Sequence, residues 1–163
     1  MKNHQYTISV NWTGNTGQGT KTYQAYSRNH EITTNGKPMI PGSSDPGFRG
    51  DPSRYNPEEM LVASISTCHM LWYLHLCSVA GIIVTFYQDN AEGIMTENED
   101  GSGFFSAVTL RPSVIITDEA LVQKATELHH DANKHCFIAN SLNFPVQHVP
   151  KITVQASDKL TVR

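Results

Sequence analysis

The chain has no run of lysine or arginine, and its 12 basic and 15 acidic residues leave a formal charge of -3. Nucleic-acid binding needs a concentrated basic face, so this balance argues against it. Charged residues make up only 17% of the 163 residues, below the usual quarter. So thin a charge implies that part of the surface is hidden against a partner, most simply a second copy of the chain. Cysteine is scarce and odd in number: Cys68, Cys77 and Cys136, without regular spacing. Such a set does not make the disulfide framework of a small secreted domain. The opening residues Met1-Lys2-Asn3-His4-Gln5-Tyr6 lack the apolar stretch of a signal peptide, and the expected setting is reducing and cytoplasmic.

Charge is missing altogether from Met60 to Val84, a span long enough for a membrane helix. However, Ser64, Ser66, Thr67, His69, His75 and Ser78 dilute it, and Gly81 interrupts it. Glu58 and Glu59 precede it, with no basic cluster on either side, so topology signals are lacking. A helix apolar on many sides is also the central helix of a soluble protein, and that is the reading taken.

Polar and apolar residues alternate over residues 5–14 and 20–28, with Gly14, Gly17 and Gly19 between them, which predicts a hairpin or meander. Four prolines and four glycines in residues 35–55 predict a long irregular connection. It carries Arg49 and Arg54 into the next element. That element opens at Asn56 as N-cap, Pro57 in the first turn and two glutamates where the helix dipole favours anions. A helix should run to about Ala80 and end at Gly81. Residues 82–116 read as a hairpin of two long strands around an acidic turn at Glu97–Gly103. A second helix is expected from Thr117 to about Lys134, with Leu121, Ala125 and Leu128 on one face. A short helical turn at Cys136–Leu142 and a strand over Lys151–Val162 complete an α+β chain.

Most buried cysteines are small apolar fillers, and Cys77, between Leu76 and Ser78, fits that role. Nine residues at about 100° each put it nearly opposite Cys68 on the helix, too far round for a mutual disulfide. Cys68 differs. A thiol attacks as thiolate, and three turns into a helix the dipole helps little. A cation is needed, and Arg49 or Arg54 could supply it, with Glu58 or Glu59 pinning the guanidinium. Cys136, in His135-Cys136-Phe137-Ile138-Ala139-Asn140-Ser141, is remote along the chain. A contact with Cys68 would be tertiary and would suit an attacking and a resolving thiol.

The stretch Asn56-Pro57-Glu58-Glu59-Met60-Leu61-Val62-Ala63-Ser64 followed by Cys68-His69 resembles the first cysteine motif of the OsmC/Ohr proteins, those of osmotic induction and organic hydroperoxide resistance. Cys136-Phe137-Ile138-Ala139-Asn140-Ser141 falls at the second motif, although members often carry proline where Phe137 stands. The resemblance spans nearly the whole chain and implies one OsmC-like domain over residues 1–163. It implies antiparallel sheets around two long central helices in an intertwined homodimer. The implied activity is a thiol peroxidase acting on organic or hydrogen peroxides, without metal, flavin or other cofactor. By that resemblance Cys68 attacks the peroxide, Cys136 resolves the sulfenic acid, Arg49 stabilises the thiolate and Glu58 orients Arg49. The implied reductant is a dithiol, of the kind carried by a lipoylated protein.

His69, Met70, Trp72 and Tyr73 would give the thiol a bulky aromatic surrounding, suited to fatty or aryl hydroperoxides. Two other readings stay open. His129, His130, His135 and Cys136 cluster near one helix end as candidate metal ligands, but without an HExxH or paired CxxC pattern. A non-catalytic dimer that binds a small apolar ligand would use its thiols only structurally.

Overall fold

Asn56 starts the longest element as expected. In the computed structural model, which describes residues 1–156, the Glu59 amide donates to the Asn56 side-chain oxygen at 2.7 Å. The Glu59 carboxylate in turn accepts from the Asn56 amide at 3.2 Å. This reciprocal box satisfies two amides that a helix start leaves free. By contacts the chain divides into two compact units, residues 1–61 and residues 62–163.

In residues 1–61, β1 (Ser9–Trp12), β2 (His30–Thr33) and β3 (Ile40–Gly42) form one antiparallel sheet. The expected second strand at 20–28 is not one. Those residues stay irregular because the Asn15 side chain accepts the Gly17 and Gly19 amides, and Asx turns of this kind replace a ladder. Edge-on contacts of Tyr26 with Trp12 and Tyr23 hold the loop. The connection at 35–55 is less irregular than its proline content suggests, since it contains β3 and a 3-10 turn at Pro46–Phe48.

α1 covers Pro57–Val79, and Gly81, at φ 72°, ends it. The Gly81 and Ile82 amides return to Ser78 and Cys77 carbonyls, which is how a left-handed glycine closes a helix. Four side chains of α1 are buried, Ile65, His69, Tyr73 and Cys77, each four residues after the last. Among the described residues α1 is long and apolar enough to cross a membrane by length and composition.

The expected hairpin at 82–116 is two hairpins end to end. β4 (Val84–Asp89) pairs with β7 (Pro112–Ile116), while β5 (Glu92–Glu97) pairs with β6 (Gly103–Leu110) in a different sheet. Asp89 makes the corner, accepting the Arg111 amide at 2.6 Å and the Ser66 hydroxyl at 2.6 Å. Pro112, which brings no amide hydrogen, starts the returning strand.

α2 (Val122–His135) follows a 3-10 turn at Glu119–Leu121 capped by Asp118. It is the shorter helix, at 14 residues against 23. A 3-10 turn at Ala139–Ser141 lies within the short helical segment expected there. β8 (Val146–His148), which the sequence pattern did not reveal, joins β6, and β9 (Lys151–Val154) joins β7. Both joins are parallel, so each of these sheets mixes directions where antiparallel sheets were expected. Of the expected last strand, residues 157–162 lie outside the described residues. The core of this unit joins Tyr73 and Cys77 of α1, Ala125, Leu128 and Ala132 of α2, and Ile82, Val114 and Ile116.

Candidate functional site

The four-residue stripe that α1 buries decides where its other face looks. Cys68, Leu71, Trp72 and His75 recur at steps of three, four and seven residues, and so share one side. Together with Phe137 they line an apolar pocket of about 420 Å³. Cys68 is partly exposed in it. Trp72 meets Phe137 edge-on at 5.7 Å and His75 edge-on at 5.8 Å, and the His135 ring lies tilted against it at 5.1 Å.

Cys136 comes to the same place from α2. It caps that helix, its amide bonding the Asn133 carbonyl, and its sulfur accepts the Ala139 amide at 3.4 Å. Burial first, then hydrogen bonding with Cys68 and the Cys68 charge, push its thiol up to about 11. The two sulfurs are therefore neighbours, although 68 positions separate them. Both are free thiols. Cys136 is held protonated, which fits it to resolve rather than attack.

Cys77 is the buried filler expected. Burial raises its thiol, against a hydrogen bond with Tyr73 that lowers it.

His69 and Tyr73, expected beside the thiol, do not line the pocket. They belong to the buried stripe. His69 Nε2 and His129 Nδ1 share a hydrogen bond of 2.9 Å, and Tyr73 stacks on His129 with ring centroids 3.8 Å apart. His148 lies 5.7 Å from the His69 ring. Burial, then the nearby His148, lowers His69 to about 4. Burial, then His69 and His148, lowers His129 to about 3. The trio is thus neutral at physiological pH. No sequence pattern announces it, because the three residues sit on three separate elements.

The candidate metal ligands do not converge. His129 is turned into this core, while His130 and His135 are exposed, and the His135 Nδ1 donates to the Asp131 carbonyl at 2.8 Å. Among the described residues no group of three or more His, Cys, Asp or Glu is arranged to hold a metal ion.

The two candidate arginines belong to residues 1–61. Arg49 is exposed at the end of a 3-10 turn, at φ 65°, with its guanidinium 5.9 Å from the Tyr23 ring centroid. Arg54 is half-buried and pairs with Asp51 at 3.5 Å. Glu58 is partly buried, and its Oε2 has no hydrogen-bond partner among the described residues. Sequence reasoning passed over Arg28. Its guanidinium lies 4.1 Å and 4.3 Å from the Tyr23 and Tyr26 ring centroids and donates to the Tyr26 carbonyl at 2.7 Å. Its Nη2 is buried and unpaired among the described residues. The aromatic residues around it at 23 and 26 were the available signal.

These elements define an α+β protein with a paired-thiol site, one sulfur open to an apolar pocket and the other buried beside it. Residues 50–150 match the family model of OsmC-like proteins. The chain belongs to the OsmC-like family. An OsmC-like protein of unknown function from Vibrio cholerae O1 biovar eltor has the same fold, with a TM-score of 0.81 and 32% identity, over 91% of this chain and 99% of that one. The uncharacterized protein YmaD of Bacillus subtilis (strain 168) is 26% identical over 98% of both chains. At 18% identity, an organic hydroperoxide resistance protein from Elizabethkingia anophelis shares the fold, with a TM-score of 0.66 over 94% of this chain and all of the other.

Proposed function

We propose that the chain is a thiol-dependent hydroperoxide reductase in which Cys68 attacks and Cys136 resolves. The reading rests on one observation above the rest: Cys68 opens into the pocket, and Cys136 is buried within hydrogen-bonding reach of it. The Cys68 thiolate takes the terminal oxygen of a hydroperoxide. The O–O bond breaks, the alcohol leaves with a proton, and Cys68 becomes a sulfenic acid. The Cys136 sulfur then attacks the Cys68 sulfur, the S–O bond breaks, and water leaves as the disulfide forms. A dithiol reductant, such as a lipoylated protein, gives two electrons and two protons to restore both thiols. Arg49, oriented by Glu58, stabilises the attacking thiolate in this reading.

A homodimer in the cytoplasm completes the proposal. Ile83 (63% exposed), Ile94 (55%) and Phe104 (57%) offer apolar surface that a second copy would cover. Light scattering should give twice the chain mass; a monomer at micromolar concentration would remove this part.

Mass spectrometry after one equivalent of hydroperoxide tests the chemistry. A Cys68–Cys136 disulfide should form in the wild type and be absent from Cys136→Ser. Peroxide-dependent dithiol consumption should vanish in Cys68→Ser. Unchanged turnover there would leave an apolar-ligand binder with structural thiols.

A further inference from the structure

We propose that His75 is a specificity-determining residue, which hydrogen-bonds a carboxylate at the far end of an apolar hydroperoxide whose O–O group lies at Cys68. The inference rests on the peroxidase reading above and adds the residue that reads the far end of the substrate.

Seven residues of α1 separate Cys68 from His75, so the two stand on one face roughly 10 Å apart along the axis. Leu71 and Trp72 form the wall between them, and Phe137 meets Trp72 edge-on. Of the five lining side chains, Leu71 and Phe137 carry no polar atom. The Cys68 thiol stands at one end and the His75 imidazole at the other, with the Trp72 indole between. A pocket of this kind reads its ligand by shape along the apolar wall and by its few polar groups. The His75 ring makes an edge-on contact with Trp72 and has no hydrogen bond to another described residue. Its nitrogens are free for a ligand.

An imidazole donates an N–H in its neutral form and two when charged. A carboxylate, which only accepts, is the matching group. The peroxide end is fixed by the nucleophile, so the carboxylate must sit about one pocket length away. An acyl chain carrying an internal or distal hydroperoxide has that form. A small uncharged hydroperoxide would use only the Cys68 end.

The test compares kcat/KM for a long-chain acid hydroperoxide with that for its methyl ester, which differs only in the carboxylate. Wild type should prefer the acid about three- to tenfold, the range of one partly exposed charge-assisted hydrogen bond. In His75→Gln the ratio should fall towards one, and His75→Lys should restore it. His135→Gln, which alters an imidazole outside the pocket lining, should keep the wild-type ratio. An unchanged preference in His75→Gln, or a preference lost equally in His135→Gln, overturns the role of His75. Absence of turnover of acid, ester and cumene hydroperoxide alike in the wild type would instead overturn the peroxidase reading, and the substrate class with it.

Discussion

His69 and His129 share a hydrogen bond of 2.9 Å with both rings wholly buried, one residue along the chain from the thiol that α1 presents to the pocket. A carbonyl or carboxylate could have accepted from either ring in any protonation state. A second imidazole accepts only while neutral, so at most one ring of the pair can be charged while the bond lasts, and burial opposes even that charge.

The pair makes folding sensitive to acid. Both histidines, and His148 beside them, have folded values below the ordinary 6.5. The unfolded chain therefore binds more protons than the native one as pH falls from about 6.5 towards 4. Their contribution is fully present above the unfolded value and is lost on acidification. Urea melts between pH 7.5 and pH 4.5 should lose on the order of 5 kcal/mol. A midpoint that holds steady across that range would mean that the pair is not buried as described.

Alkylation should separate the three thiols. Cys77 and Cys136 are buried, and burial raises both, whereas Cys68 opens to the pocket. Brief treatment with iodoacetamide at pH 8 should give one adduct, on Cys68, with the others labelled only after unfolding. Equally fast labelling of Cys77 would contradict its place in the core.

Asn56→Ala should remove one half of the reciprocal cap on α1 and cost about 1 kcal/mol. Because this helix carries Cys68, thermal unfolding of the variant followed by circular dichroism is the direct measurement. Asn56→Asp should retain most of the stability, since a carboxylate accepts the Glu59 amide as well.

Arg49→Ala and Glu58→Ala are expected to lower kcat/KM by roughly tenfold or more, the worth of a hydrogen bond to a charged group. Arg54→Ala should change little, because its ion pair with Asp51 is partly exposed. Arg28 is the discriminating comparison, for its Nη2 is buried and has no hydrogen-bond partner among the described residues. A larger loss in Arg28→Ala than in Arg49→Ala would transfer the thiolate-stabilising role to Arg28.

Local chemistry settled a good deal of this protein before any fold was known. Asn56, Pro57, Glu59 and Gly81 mark both ends of α1, because capping depends on neighbours a few residues away. The nine-residue offset of Cys77 from Cys68 placed the one in the core and left the other for chemistry, since helical rotation is fixed per residue. Tertiary structure alone decided the rest. Only the packing of α1 against α2 and β8 brings His69, His129 and His148 together, and only the corner at Asp89 turns one long hairpin into strands of two sheets. The β8 strand and the parallel pairings were likewise invisible, because a strand's partner is set by distant residues competing for its hydrogen bonds. Cys136 could be suspected from the chain, but its proximity to Cys68 depends on where α2 ends, and no spacing between remote residues encodes that.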